Sequence, residues 1–402
     1  MSKVKKILIV SHAMEIGGAE RALLGLLETI DTTQYEVDLF LLRHQGELMK
    51  YIPAGIRLLP ENPKYACLAV PFGRVLKRGQ MGVALGRFTG KVKAARRVKE
   101  LGLSGENDVA LEYSHKYVLP YVPMISDTQY DLAVSFLTPH YFVPEKVKAK
   151  KKIAWIHTDY AVVAVDRASQ LKMWDAFDAI ASISEQVTDS FLKVFPELEK
   201  KIRLIPNIMP MGYMRSLTEA FSASQEMPED GSIRLLSVGR FCRAKNFDNV
   251  PDICRRLRET GLDVKWYLMG FGGDEALIRR KIADAGMQEH VVVLGKKENP
   301  YPYIAACDLY VQPSRYEGKC VSVIEAQILH KPVVITNYAT SPSQLKDGYD
   351  GIIVPMDNEG CAAGIAAVIR NGELRKMLSE NTKKQDYTNA AEIEKLYELI
   401  EG

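Results

Sequence analysis

Short β-branched apolar runs alternate with stretches of helical spacing along the whole chain. That alternation is the pattern of parallel βαβ units, in which helices cover both faces of a buried sheet. In the first half the runs are Lys6 to Ser11, Tyr35 to Leu42, Ile56 to Leu59, Asp131 to Phe136, Ile153 to His157, Ala179 to Ser182 and Ile202 to Pro206. A second series comprises Ile233 to Val238, Val264 to Gly270, Val291 to Leu294, Leu309 to Pro313, Pro332 to Thr336 and Gly351 to Pro355. Between them, Met209 to Ser232 carries Pro210, Gly212, Ser216, Ser222, Ser224, Pro228 and Gly231, a composition that reads as an interdomain linker. The expected fold is α/β, with two doubly wound domains at residues 1–210 and 211–378. Residues 379–402 have helical spacing and no strand after them, so they are expected to pack back on the first domain.

At 402 residues the chain is long enough for two or three domains, and 47% hydrophobic with 26% charged residues excludes a disordered or collagenous chain. Its longest apolar stretches, such as Ile7 to Val10 and Cys67 to Phe72, fall far short of the roughly 20 residues a membrane-spanning helix needs. The first apolar run ends at His12 and is followed by a polar glycine loop with no small-residue cleavage site, so no signal peptide is expected. Cys67, Cys242, Cys254, Cys307, Cys320 and Cys361 form no Cys-x-x-Cys pair and have no partnering histidine spacing. Neither a zinc site nor a disulfide framework is suggested, and core packing in a reducing cytoplasm is the expectation.

Charge is unevenly placed. Between Lys64 and Lys99 the chain has ten basic residues and no Asp or Glu, although its net charge is only +3. A second cluster, Lys146, Lys148, Lys150, Lys151 and Lys152, is read as lying just before an apolar strand. Such patches suit an anionic surface, and a membrane fits better than nucleic acid because no nucleic-acid motif accompanies them. In the first patch Val92, Ala95, Val98 and Leu101 recur every third residue, with Lys91, Lys93, Arg96, Arg97 and Lys99 largely on other faces of the expected helix. That is compatible with an interfacial helix, and also with a helix packed on the first domain with its charges in water.

Ligands of open α/β sheets bind beyond the carboxyl ends of the strands, where glycine-rich turns let backbone amides and helix starts approach phosphate. One such turn runs from Ser11 to Arg21 through Gly17 and Gly18, and reads equally as a tight helix entry. A second, Ser237 to Asn246, offers Arg240 as a planar donor fork and Lys245 as a point charge, a pairing suited to a diphosphate. A third, Gly270-Phe271-Gly272-Gly273-Asp274-Glu275, lacks the last glycine of a dinucleotide fingerprint and reads as turn geometry. The segment Pro313 to Ala326 places Glu317 in a loop and Glu325 inside the following helix, whose first free amides are expected from Gly318 to Val321. Together these groups suit a polyol, a diphosphate and a ribose.

The combined order Gly17-Gly18-Ala19-Glu20-Arg21, Val238-Gly239-Arg240 with Lys245, and Glu317-x7-Glu325 resembles the retaining glycosyltransferases of the GT-B fold, family 4. The run Glu317 to Gln327, followed by Lys331 to Tyr338 and Asp347 to Gly351, is most similar to members serving capsule, exopolysaccharide or wall-glycopolymer synthesis. The resemblance implies two Rossmann-like domains facing a cleft, with an acceptor-binding first domain, a donor-binding second domain, and residues 379–402 crossing back. Glu317 would bind hydroxyls of the donor sugar, and Glu325 those of the ribose. Arg240 and Lys245 would neutralise the leaving diphosphate, helped by the amides of Gly318, Lys319, Cys320 and Val321. Gly17 and Gly18 would close over the donor from the opposite domain, and His157 matches the family's active-site histidine. Many relatives carry an apolar residue at Lys319 and a glycine at Cys320, a departure that bears on the donor sugar.

The sequence has no Asp-x-Asp metal clasp and no His/Cys cluster, so cationic side chains and a helix dipole would stabilise the leaving group without a metal or other cofactor. No carboxylate is obviously placed as a covalent nucleophile, which favours front-face retention over the alternative in which Glu317 is the nucleophile. The expected enzyme moves a hexosyl or N-acetylhexosaminyl unit from a nucleoside-diphosphate sugar, UDP-linked by preference, to a lipid-linked glycan, as a cytoplasmic protein peripheral to the inner face of the plasma membrane. A nucleotide-sugar epimerase on the same scaffold and a non-catalytic glycan or nucleotide-sugar binder are the alternatives.

Overall fold

The computed structural model describes residues 4–103, 108–158, 160–161, 163–317 and 319–401. Among them, β1 (Lys5–Ser11), β2 (Tyr35–Leu41), β3 (Ile56–Leu58), β4 (Gln129–Ser135), β5 (Lys148–Ile156), β6 (Ala179–Ser182) and β7 (Ile202–Leu204) form one sheet in the order β3-β2-β1-β4-β5-β6-β7. The other contains β8 (Ile233–Val238), β9 (Val264–Met269), β10 (Val291–Gly295), β11 (Leu309–Gln312), β12 (Val333–Thr336) and β13 (Ile352–Val354), in the order β10-β9-β8-β11-β12-β13. Every pairing is parallel. The reason shows in the first strand, where the consecutive residues Ile7, Leu8 and Ile9 are all fully buried, so both faces are covered. In each sheet the chain starts in the middle, builds one way, and returns to the other side of its first strand. The loops after β1 and β4, and those after β8 and β11, therefore diverge and leave a crevice.

The chain divides into two units, one running to Pro210 and resuming at Asn389, the other spanning Met211–Thr388. The expected linker Met209 to Ser232 is corrected by this division. It opens with a helix, Met211–Thr218, that belongs to the second unit, buries Tyr213 and Met214, and sets Tyr213 edge-on to Tyr301 at 5.8 Å. Apolar residues spaced for one helix face outweigh the polar composition around them. The chain also stays in the second unit past Ser379: Asn381 Nδ2 donates to the Tyr349 carbonyl, Tyr387 OH donates to Asp350, and the return falls at Asn389. The last helix, Ile393–Glu401, then packs in the first unit, where Tyr397 stacks on Tyr35 at 4.6 Å and accepts from the Asp31 amide at 2.9 Å.

Of the lysines expected just before the fifth strand, Lys148, Lys150, Lys151 and Lys152 lie inside it, and Lys146 ends the helix before it. Pairing with β4 begins at Gln129↔Lys148, and the charges are absorbed locally, Lys150 by Asp131 at 2.7 Å and Lys152 Nζ by the Pro144 carbonyl at 2.8 Å. The long basic helix, Met81–Glu100, differs from expectation in its inward face. Its buried positions are Val83, Ala84, Gly86, Gly90 and Ala94, whereas Val92 and Ala95 are exposed. Small residues decide this, because they let the helix Val109–Val118 approach closely: a Cβ on Gly86 would lie 2.6 Å from the Tyr117 carbonyl oxygen, and one on Gly90 2.6 Å from that of Tyr113. At its far end Arg97 reaches Asp166 at 2.8 Å, and Tyr113 OH donates to the same carboxylate.

In an exposed helix interior, Gly→Ala stabilises by up to about 1 kcal/mol. Gly90→Ala should reverse that sign, lowering stability by about 1–3 kcal/mol as the two helices are forced apart. Urea unfolding monitored by circular dichroism is the test, and a stabilised Gly90→Ala protein would show that the helices are not in close contact.

Candidate functional site

The loops that leave β8 and β11 are fastened to one another. After β8 the chain turns through the short 3₁₀ segment Arg243–Lys245 into Asn246, which has left-handed backbone geometry (φ 60°) and donates from its buried side chain to the Pro313 carbonyl at 2.9 Å. Arg315 donates its amide to the Ala244 carbonyl at 2.7 Å and grips Asp248 with both terminal nitrogens at 2.8 Å. A bidentate pair of this kind fixes orientation as well as distance. The third glycine turn serves the same construction. Gly270 (φ 148°) and Gly272 (φ 158°) have backbone angles that disfavour side chains, and a Cβ on them would fall 1.8 Å from the Gly239 carbonyl oxygen and 2.2 Å from that of Phe241. These glycines admit the neighbouring backbone, in keeping with their reading as turn geometry.

Within this frame Lys245 and Glu317 meet, Nζ to Oε1 at 2.6 Å, with side-chain exposures of only 16% and 11%. Burial works against the lysine charge, but the facing Cys320 and Glu317 more than offset it, and its pKa lies above the ordinary lysine value. Removing one member of a buried pair leaves the other uncompensated, at about 3–5 kcal/mol. Glu317 is also held from behind: Tyr310 OH donates to Gln312 Oε1 at 2.9 Å, Gln312 Nε2 to Ser314 Oγ at 2.9 Å, and Ser314 Oγ to Glu317 Oε1. Tyr310, Gln312 and Ser314 are fully buried. Sequence reading missed this relay, although Gln312 and Ser314 signal it as polar residues at the end of the apolar run Leu309 to Val311.

The helix Val321–Ile328 starts one residue after Cys320. Gln344 clamps that start, accepting from the Cys320 amide at 2.7 Å and donating toward its carbonyl at 3.4 Å. The expected set of free amides is therefore corrected: that of Cys320 is already satisfied, by a side chain far away in sequence, and Gly318 lies outside the described residues. Lys319 is exposed, while Cys320 is buried, its thiol pKa raised by that burial, with Sγ 3.4 Å from Lys245 Nζ. Glu325 is 1% exposed and accepts from Tyr301 OH at 3.0 Å. Arg240 and Arg243 are exposed, with no ion pair among the described residues, so the loop that carries them offers two unpaired guanidiniums and one lysine already paired.

In the first unit, Gly17 caps the helix Gly18–Thr29, and Glu20 folds back over it so closely that a Cβ on Gly17 would meet its carboxylate at 2.1 Å. Gly18 is open. The helix entry thus holds a carboxylate of its own, whose pKa burial raises. His157 follows β5 directly, packed against Phe136 at 4.6 Å and Trp155 at 6.3 Å. Its buried Nε2 has no hydrogen-bond partner among the described residues, nor do Ser11 Oγ and Trp155 Nε1. Burial lowers the pKa of His157 to about 3 and that of His12, after β1, to about 4. Both rings are neutral at pH 7. Among the described residues no group of three His, Cys, Asp or Glu side chains is placed to hold a metal ion.

Residues 219–385 match the family of glycosyl transferases group 1. The chain is 27% identical over 199 residues to the lipopolysaccharide core biosynthesis glycosyltransferase LpsE of Rhizobium meliloti, covering 49% of this chain and 54% of that one. It is 29% identical over 151 residues to the N-acetylgalactosamine-N,N'-diacetylbacillosaminyl-diphospho-undecaprenol 4-alpha-N-acetylgalactosaminyltransferase of Campylobacter jejuni, covering 37% and 40%. These matches span about half the length of the curated relatives or less. Among solved structures, Anabaena Alr3699/HepE in complex with UDP and glucose is similar over 99% of both chains at a TM-score of 0.66 and 15% identity, a likeness of fold, the GT-B fold.

His157 and His12, together with the buried His115 and His140, whose pKa values burial also holds well below the ordinary value, make stability depend on pH. Their folded pKa values lie below the unfolded value of about 6.5, so the unfolded chain binds more protons as pH falls and stability is lost from about pH 6.5 downward. Between pH 6.5 and 5 each contributes a loss of up to about 2 kcal/mol. His157→Gln should flatten that part of the profile in urea titrations at several pH values, and an unchanged slope would mean that His157 is solvated in the folded protein.

Proposed function

Residues 219–385 match the glycosyl transferases group 1 family, and on that match we propose that the chain is a retaining, metal-independent glycosyltransferase. It moves a hexosyl or N-acetylhexosaminyl unit from a nucleoside-diphosphate sugar, preferably UDP-linked, to a lipid-linked glycan during cell-surface polysaccharide synthesis, at the cytoplasmic side of an anionic membrane. The observation that carries this reading is the buried Lys245–Glu317 pair beyond β8 and β11, with Glu325 and Arg240 on the same loops and helix. The relatives from lipopolysaccharide and undecaprenol-linked glycan synthesis support the acceptor class, and the similar fold seen with UDP and glucose supports the donor.

The proposed chemistry is that of a leaving diphosphate. As the bond from the anomeric carbon to the phosphate oxygen breaks, negative charge grows on the β-phosphate. The exposed guanidinium of Arg240 and the ammonium of Lys245 meet it, Lys245 sharing its protons between Glu317 and phosphate. Glu317, aligned by Ser314, holds sugar hydroxyls, and Glu325 holds those of the ribose. The acceptor hydroxyl attacks from the face the diphosphate is leaving, and its proton passes to that diphosphate. His157, neutral at working pH, offers the unpartnered Nε2 to a sugar or acceptor hydroxyl.

Arg240→Ala and Lys245→Ala should each lower turnover by roughly 10²-fold or more, because each removes a donor aimed at charge that grows in the transition state. Release of UDP from UDP-sugars, with and without a lipid-linked acceptor, measures this, and NMR of the product reports the anomer. Near-normal rates in the double variant, loss of activity in EDTA, or an inverted anomer would overturn the mechanism.

Glu325→Ala should weaken binding of the free nucleoside diphosphate, whereas Glu317→Ala should spare it and reduce turnover. Calorimetric titration with UDP separates them, and the opposite pattern would exchange their roles.

A further inference from the structure

The helix Met81–Glu100 has two apolar faces, and only one is covered. Opposite its buried small residues, Met81, Leu85, Phe88 and Val92 follow one another at intervals of four, three and four, which at 3.6 residues per turn keeps them within an arc of about 60°. They are 65%, 54%, 57% and 53% exposed. On the preceding helix, Phe72–Lys77, the side chains of Phe72 and Leu76 lie one turn apart and are also exposed. Scattered apolar residues on a surface are ordinary, whereas a stripe along three turns of one helix marks a place where something apolar is met.

Charge identifies what meets it. Lys64, Arg74, Lys77, Arg78, Lys91 and Lys99 are exposed and have no carboxylate partner among the described residues, and the sequence between Lys64 and Lys99 contains no Asp or Glu. No helix among the described residues is long and apolar enough to cross a membrane. A helix lying flat, with an apolar stripe bordered by cations, suits an anionic bilayer surface: acyl chains receive the stripe and headgroup phosphates receive the lysines and arginines.

We propose that Met81, Leu85, Phe88 and Val92 insert into the interface of an anionic membrane, so that attachment rests on apolar burial as well as on charge. The inference deepens the membrane-surface part of the function proposed above. It is measured without donor or acceptor, so its failure and a failure of glycosyl transfer are separate results.

The three tryptophans, Trp155, Trp174 and Trp266, are all buried, so Phe88→Trp introduces a surface reporter into the 402-residue chain. With vesicles containing phosphatidylglycerol its emission should shift to the blue and be quenched by lipids brominated on the acyl chain, with neither effect on phosphatidylcholine vesicles. A Leu85→Ser/Phe88→Ser protein should partition onto the anionic vesicles at least about tenfold more weakly than wild type, with an unchanged thermal midpoint, since both side chains are exposed. Raising salt should weaken wild-type binding without abolishing it. The proposal is overturned if Phe88→Trp emission stays unchanged on vesicles that sediment the protein, if the double serine variant binds as wild type, or if the wild type is a dimer that this variant dissociates.

Discussion

A parallel sheet that starts in its middle places its functional loops without reference to what they bind. In both units the chain begins in a central strand, fills one side, and returns to the other, so the loops after the first and fourth strands of each sheet diverge. The segments Gly239 to Asn246 and Pro313 to Cys320 leave β8 and β11 at that divergence in one unit. His12 to Gly17 follows β1 in the other, with the loop to Tyr141 after β4. Arg240, Lys245 and Glu317 stand on those diverging loops, and Glu325 stands in the helix that follows the second of them.

Burying charge there has a cost, and the second unit meets it with a network. Lys245 and Glu317 satisfy one another, Ser314 adds a donor to Glu317, and Gln312 and Tyr310 continue the relay into the sheet. Removing any member leaves a buried polar atom without its partner, so the relay holds Glu317 in one orientation before a ligand arrives. The first unit takes the other course. Ser11 Oγ, Trp155 Nε1 and His157 Nε2 are buried without partners among the described residues, and the histidines shed their charge instead.

Much of this was legible in the chain. Apolar runs located the strands because a strand covered on both faces has no alternative to being apolar. The placing of Glu317 in a loop and Glu325 in a helix also follows from local pattern. The clamp of Gln344 on Cys320, the pairing of Lys245 with Glu317, and the fastening of Arg315 to Asp248 were not legible, because each joins residues distant in sequence through side-chain directions that no local rule fixes. The helix Met211–Thr218 was obscured for a different reason: its surroundings are rich in proline, glycine and serine, and composition averaged over the segment hides two buried residues, Tyr213 and Met214.

The basic helix shows where the division falls. The sequence alone determined that residues 64–99 are cationic, free of carboxylates and helical in spacing, since charge and periodicity are properties of residue order. Which apolar stripe would be buried was a matter of tertiary structure. Periodicity offers Val92, Ala95, Val98 and Leu101 as readily as Met81, Leu85, Phe88 and Val92, and the choice was made by a neighbour. The helix Val109–Val118 approaches closest where Gly86 and Gly90 present no side chain, and turning that face inward leaves the larger residues outside. Close packing favours the shortest distance between backbones over the greatest hydrophobicity of the buried face, and only the folded chain reveals which residues are thereby left for something else to cover.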